Sequence, residues 1–306
     1  MFLIGGIIVK QNTKIMSEGR FALILLAPTL LLILGLLLYP LIYSIYLSFV
    51  DLNITNPDVG TEFVGFRNFM DNLSDPAFWN SLKITFYFAV VTVIGSLLVG
   101  LYAALLLNSK IRARGLFRTL LLIPWAIPLV IVGMIWKLIL HPNYGSLNAL
   151  LMKVGIIHHN IAWLSDAKWS LIMLFLSEIW RSFPFVALLY LAALQTIPQD
   201  LFEAASVDGA TKRKAFWHIT MPYLQATTLV LLILRTIDAF RSFDLIFALT
   251  KGGPANNTEI VGLYLYKQGF TFANFGVSAA GSYIVTFLIL VLVFVYIKLM
   301  KVQNIS

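Results

Sequence analysis

Apolar runs of more than 20 residues alternate with short polar segments along this chain. Roughly 20 apolar residues in an α-helix cross the hydrocarbon core of a bilayer, so each run is long enough to span a membrane. The pattern predicts an all-α integral membrane protein with six transmembrane helices. We place them at about residues 21–50, 84–107, 119–140, 169–194, 224–250 and 275–297.

The composition supports a polytopic membrane protein and excludes several kinds of site. Hydrophobic residues make up 59% of the 306 residues and charged residues only 12%, whereas a soluble domain has about a quarter charged residues. The chain has no cysteine. Disulfides, thiolate nucleophiles and cysteine-ligated metals are therefore excluded.

The basic residues indicate how the helices are oriented. With both termini in the cytoplasm, 12 Lys and Arg outside the spans face inward and 6 face outward. This excess is the positive-inside pattern, and it accounts for the net charge of +8 without a nucleic-acid partner. We therefore predict an N-in, C-in topology with a cytoplasmic segment at 1–20, a permease domain at 21–300 and a cytoplasmic tail at 301–306.

A polar segment, EAASVDGATKRKAFWHITMP at residues 203–222, separates the fourth and fifth runs on the predicted cytoplasmic side. Pro198 ends the fourth helix, and a short helix is expected from Leu201 to Val207, with Gly209 as its C-terminal cap. Lys212 is expected to begin a second helix, and Pro222 to mark the return to the membrane.

The spacing of Glu203-Ala204-Ala205, Gly209, Ile219 and Pro222 resembles the cytoplasmic "EAA" loop of ABC importer permeases. The segments 27–28, 39–40, 63–69 and 249–254 are similar to maltose-type carbohydrate permeases, in the half represented by the maltose F-type and trehalose A-type subunits. The resemblance runs from about residue 20 to the C-terminus. It implies the type I ABC importer fold and an ATPase-coupling loop at 196–222, whose 201–209 helix carries Glu203, Ala204, Ala205, Asp208 and Gly209, with Pro222 behind it.

The resemblance also implies a set of partners. These are a second, non-identical permease, two ATPase subunits that bind ATP and Mg, and an extracytoplasmic sugar-binding protein, in the cytoplasmic membrane of a bacterium or archaeon. The chain itself is expected to be non-catalytic and to carry no cofactor. A phosphate-binding P-loop requires a Gly-Lys dipeptide, and none occurs in the sequence.

Six ionisable residues lie within the predicted fourth and fifth spans: Glu178, Arg181, Arg235, Asp238, Arg241 and Asp244. Such residues are costly in a membrane and mark either internal ion pairs or a transport pathway. One interpretation pairs Glu178 with Arg235 and Arg181 with Asp238 across packed helices. The other places them along a cavity where they hydrogen-bond sugar hydroxyls.

The family resemblance favours the second interpretation. It implies sugar contacts at Glu178, Arg181, Ser182, Phe185, Arg235, Asp238, Ala239 and Ser242. Several of these positions are charged here but carry amide or apolar groups in the maltose subunit. The expected substrate is a di- or oligosaccharide, trehalose-like or maltose-like.

Two other functions remain open from the residues alone. An ion- or proton-coupled secondary transporter is the main alternative, and an integral membrane enzyme using Glu178 and Asp238 is the other. No metal site is expected, because the four histidines have no ligand spacing. Lys110, Arg112 and Arg114 are interpreted as charges that set the topology rather than as a lipid or nucleic-acid site.

Overall fold

The computed structural model describes residues 18–52, 62–109 and 112–300. The described part is almost entirely helical, with one two-stranded ribbon of β1 Val50–Asp51 and β2 Glu62–Phe63. The chain divides into two units, residues 1–47 and 48–306. The tail at 301–306 and most of the predicted N-terminal segment at 1–20 lie outside the described residues.

The first unit contains one long apolar helix built from α1 Glu18–Ile33, a π-helical turn at Leu34–Leu38 and α2 Tyr39–Ser48, whose last residue belongs to the second unit. The π turn comes directly before Pro40. Proline lacks a backbone N–H and disturbs the preceding turn, so a wider turn at this point relieves the clash. The segment Phe21–Ser48 is long and apolar enough to cross a membrane.

Four long helices hold the second unit together: α4 Pro76–Asn108, α8 Ala167–Leu194, α11 Met221–Phe240 and α14 Phe275–Leu299. Glycines let α4 and α8 approach each other closely. A Cβ atom on Gly100 would lie 2.6 Å from Cγ1 of Val186, which is too close for any larger residue. Small residues at the interface are the usual way to pack helices in lipid, where no hydrophobic force drives them together.

The third predicted span, 119–140, is not one helix. It consists of α5 Arg114–Ala126 and α6 Leu129–Ile139, which meet at an angle of 95°. The break lies at Ile127, whose ψ of 131° is extended, followed by Pro128. A proline disfavours the helical conformation of the residue before it, and this explains the bend.

The fifth predicted span, 224–250, is also interrupted. The helix starts at α10 Lys212–Ala215, continues through a π turn at Phe216–Thr220 into α11, and ends at Phe240. A separate helix, α12 Asp244–Leu249, follows. Arg241 and Asp244 are therefore not on the helix that carries Arg235 and Asp238, and the prediction of one span containing all four was wrong.

The other predicted spans match single helices with small shifts at their ends. The largest shift is in α4, which begins at Pro76 rather than at residue 84 because it continues past Lys83 to a strong start signal. Asp75 caps this start by accepting a hydrogen bond from the backbone N–H of Ala77 at 2.8 Å. With the bent pair counted once, the described residues contain six candidate spans.

Short elements complete the second unit: α3 Arg67–Ser74, α7 Ser146–Lys153, α9 Gln199–Val207, α13 Val261–Tyr266 and a π turn at Lys267–Thr271. Buried amides join α3 to its neighbours. Asn68 donates to the backbone oxygens of Ser48 and Val50 at 3.0 and 2.9 Å, and Asn72 donates to that of Val277 at 2.8 Å. These bonds fix the end of the unit opposite the 203–222 segment.

Candidate functional site

The polar segment between α8 and α11 forms a protruding helix, α9. This helix runs from Gln199 to Val207, so it begins two residues before the predicted start at Leu201 and ends at the predicted Val207. Gly209 has a φ of +72°, and the backbone N–H of Ala210 donates to the oxygen of Ala205 at 2.8 Å. This is the bond of a helix-ending Schellman motif, so the predicted glycine cap is confirmed.

None of the nine residues of α9, all of which are described, is buried. Glu203 and Ala204 are exposed and Ala205 is half-buried. The apolar side chains of Leu201, Phe202 and Val207 are also exposed, Val207 to 88%. Exposed apolar side chains grouped in this way are typical of surfaces that contact another protein.

The base of this segment is anchored to the helical bundle. Ile197 and Leu194 before α9, and Leu224 after it, belong to one buried apolar cluster. Pro222 lies inside a helix that is continuous from Lys212 to Phe240, so the second helix predicted to begin at Lys212 runs without a break into the fifth span. The π turn before Pro222 removes the strain that proline would otherwise introduce, as at Pro40. A force on α9 would therefore be transmitted to both α8 and α11.

A second polar site lies where α8 faces α11, and it is buried. Oε1 of Glu178 accepts from Nη2 of Arg235 on the other helix at 2.6 Å and from Nη2 of Arg181 at 2.9 Å. Arg235 also donates through Nη1 to Oδ2 of Asp238 at 3.1 Å. We call these four residues the charge cluster.

The charge cluster matches one of the two predicted cross-helix pairs. Glu178 does pair with Arg235, but Arg181 binds Glu178 three residues earlier on its own helix rather than Asp238. Asp238 in turn binds Arg235, also three residues away. Residues at this spacing share a helix face, so the local partner is reached at less conformational cost than the remote one.

The members of the cluster and the other predicted sugar contacts differ in how exposed their side chains are. The side chains of Glu178 and Arg235 are 3% exposed, Arg181 is 14% exposed and Asp238 is 56% exposed. Ser182 and Ala239 are buried and Ser242 is half-buried beyond the end of α11. The predicted positions that keep accessible surface are thus Asp238, Arg181, Ser242 and the half-buried Phe185.

Phe185 has an aromatic partner that the sequence did not reveal. Its ring stacks on that of Trp125, with centroids 5.6 Å apart and an angle of 18° between the planes. Trp125 lies in α5, in the turn before the bend at Ile127. The described residues contain no group of three or more His, Asp or Glu that could hold a metal ion.

Comparison with known proteins identifies the family. Residues 96–304, which include α9 and the charge cluster, match the model of the binding-protein-dependent transport system inner membrane component. The chain belongs to this family.

The relatives are similar over nearly their whole length. The chain is 36% identical to the sulfoquinovosyl glycerol transport system permease protein SmoG of Agrobacterium fabrum, covering 94% of this chain and 93% of the relative. It is also 36% identical to the trehalose/maltose transport system permease protein MalF of Thermococcus litoralis, covering 92% and 94%. A third relative, the sn-glycerol-3-phosphate permease UgpA of Agrobacterium fabrum, is 34% identical over 88% of this chain and 90% of its own.

The fold is also that of a solved importer. A chain of the bacterial ABC transporter that imports the acidic polysaccharide alginate superimposes with a TM-score of 0.78, covering 93% of this chain and 96% of that one, at 23% identity. This likeness establishes the type I ABC importer permease fold. Family membership makes the chain a multi-pass permease subunit, and it does not favour a secondary transporter.

Proposed function

We propose that this binding-protein-dependent permease forms half of the pathway of an ATP-driven importer for an uncharged di- or oligosaccharide, trehalose-like or maltose-like. Its partners are a second homologous permease, two ATPase subunits and an extracytoplasmic sugar-binding protein. The assembly lies in the cytoplasmic membrane of a bacterium or archaeon. ATP and Mg belong to the ATPase, and this chain needs no cofactor of its own.

The exposed helix α9 is the observation that carries the proposal. Its two ends are held by the buried cluster around Ile197 and by the Gly209 cap, while none of its own residues is buried and Val207 is 88% exposed. Most of the surface of this helix is therefore open to a partner. We assign it to the ATPase, with Glu203 as the charged contact and Ala204 and Ala205 as the flat surface that a partner backbone approaches.

The charge cluster supports a sugar as the transported solute. It offers a carboxylate, Asp238, that accepts from hydroxyls, and a guanidinium, Arg181, that donates to them. Trp125 and Phe185 add an aromatic stack next to this region of α8.

The balance of charges favours an uncharged sugar over an acidic one. The relatives include permeases named for a neutral sugar pair, trehalose and maltose, and for the phosphate-bearing sn-glycerol-3-phosphate. In this chain each guanidinium of the cluster already binds a carboxylate, and two positive charges meet two negative ones. An anionic solute would approach the exposed carboxylate of Asp238 and be repelled.

The test is recovery of the ATPase. The permease, expressed with its genomic neighbours, is purified as wild type, as Glu203→Lys and as Asp71→Lys. Asp71 is an exposed acid on α3, at the opposite end of the unit, so it is a matched control for the change in charge.

We expect the ATPase to co-purify with wild type and with Asp71→Lys, and to be lost from Glu203→Lys. Retention of the ATPase by Glu203→Lys would contradict the assigned contact. Failure of wild type to retain any ATPase in several mild detergents would contradict the proposed assembly.

A further inference from the structure

Two arginines at the start of α5 hold their charges close together. Arg114 and Arg118 lie one turn apart on the same face of the helix. With the amide of Gln195 oriented to satisfy both, its side-chain oxygen accepts from Nη2 of Arg118 at 2.7 Å and from Nη2 of Arg114 at 3.0 Å. Because both nitrogens contact one oxygen, the guanidinium groups are neighbours.

This arginine pair has no negative partner among the residues that the structure describes. No described carboxylate lies within 4.0 Å of either guanidinium, and the further contact of Arg114 is the neutral amide oxygen of Asn108 at 3.4 Å. The Nε atoms of both arginines are buried without a hydrogen-bond partner in the described structure. The nearby C-terminus of α8 supplies only a partial negative charge, which does not neutralise two full positive ones.

An apolar groove begins beside the arginine pair. It has a volume of about 450 Å³, it is open to the surrounding medium, and α4, α5 and α8 form its walls through Ala103, Phe117, Leu121 and Phe183. All its lining residues are apolar. In a membrane protein such a groove fits a hydrocarbon chain.

The spacing of residues along α5 places the arginine pair next to the apolar groove. Phe117 and Leu121 line the groove, and each lies three residues after one of the two arginines. Residues three apart are neighbours on the helix surface, and long side chains lean toward the N-terminus. The guanidinium groups therefore lie at the end of the groove that the charge distribution predicts to be cytoplasmic.

We propose that the arginine pair and the groove bind one anionic phospholipid of the cytoplasmic leaflet. The lipid phosphate accepts from the two guanidinium groups, whose planar forks match phosphate oxygens, and an acyl chain occupies the groove. The sequence interpretation gave Arg114 only a topological role. Both guanidinium groups donate to the side-chain oxygen of Gln195, a residue remote in sequence, and this shared contact holds the two arginines together as one site.

The experiment counts bound lipid on the full chain, purified in mild detergent with the partners it retains. After delipidation the protein is titrated with phosphatidylglycerol or with phosphatidylcholine of the same acyl chains, and retained lipids are counted by native mass spectrometry. The variants are Arg114→Gln with Arg118→Gln, and Ala103→Phe, which fills the groove without changing any charge. The control is Lys212→Gln with Lys298→Gln, which removes two exposed charges on the same predicted side, on helices that do not line the groove.

We expect one tightly held phosphatidylglycerol, preferred over phosphatidylcholine. The double arginine variant weakens it about thirty-fold, from the usual contribution of each basic residue near a lipid surface. Ala103→Phe also weakens it, and the control pair retains it.

Several results would overturn the proposal. These are equal retention of the two lipids, equal losses in the control and the arginine variant, and competition by inorganic phosphate at the same concentration as lipid, which would indicate a soluble anion. Unchanged lipid retention with loss of the ATPase in the arginine variant would show that the pair contacts a protein instead. Wild-type lipid binding by Ala103→Phe would remove the groove from the site.

Discussion

The two polar sites of the permease, helix α9 and the charge cluster, differ in the burial and pairing of their charged groups. In the charge cluster, Glu178 and Arg235 are almost completely buried and form an ion pair with each other. In α9, Glu203 is exposed, and the exposed Leu201 and Val207 flank it. The charges of the cluster are paired within the chain, whereas Glu203 of α9 has no ion pair among the described residues.

The two sites therefore differ in how far packing within the chain explains their residues. A buried ion pair that neutralises itself explains its own presence, because removing one partner would leave an unpaired charge in an apolar environment. Function can be assigned only to its exposed part, Asp238 and Arg181. For α9 the packing gives no reason for the sequence, so the reason must lie in a partner.

The largest effect is expected from removing the acid at the centre of the cluster. Glu178→Ala leaves the guanidinium groups of Arg181 and Arg235 facing each other without a carboxylate between them. Loss of one partner of a buried pair costs about 3–5 kcal/mol, so the yield and the thermal unfolding midpoint of the purified permease should fall sharply. Glu203→Ala, the same truncation on exposed α9, should leave both unchanged. Equal unfolding midpoints for the two variants would show that the cluster does not support the fold.

A smaller effect is expected at the cap of α9. The φ of +72° at Gly209 lies in the left-handed region, which costs most other residues about 1–2 kcal/mol. Gly209→Asp should loosen the end of α9 and uncouple the transporter, so that ATP hydrolysis continues while the solute transported per ATP falls. Gly209→Asn is the matched control, because asparagine tolerates this conformation better than other residues do. Normal uptake by Gly209→Asp would reject a coupling role for the cap.

The predictable parts of this permease are those set by local patterns. Apolar runs locate the long helices, and a glycine after a short helix locates the end of α9. The bend at Ile127 was also readable in principle, since a proline at 128 restricts the residue before it. Hydropathy alone hides such a break, because both sides of it are equally apolar.

The break after Phe240 has no local signal, since residues 240–244 contain neither proline nor glycine. A contact with a distant segment lies at this break. Gly262 on α13 packs against the backbone of Ser242, where a Cβ atom would lie 2.8 Å from the oxygen. The same holds for the arginine pair, whose shared acceptor Gln195 is remote in sequence. Contacts between distant segments determine these features, and one sequence does not display them.

The smallest change in stability is expected at Asp238, the most exposed member of the cluster. The same residue gives the most direct test of whether the cluster contacts the solute. The side chain of Asp238 is 56% exposed, so its ion pair with Arg235 contributes at most about 1 kcal/mol, and Asp238→Asn should hardly shift the unfolding midpoint. If the cluster faces the solute path, uptake of the sugar should nevertheless fall, with a higher apparent KM. Asp244→Asn is the matched control, because Asp244 is an exposed acid just beyond α11 and is not in the cluster. Normal uptake in both variants would leave the cluster with a structural role alone, and equal losses in both would point to the charge of this surface rather than to a contact at Asp238.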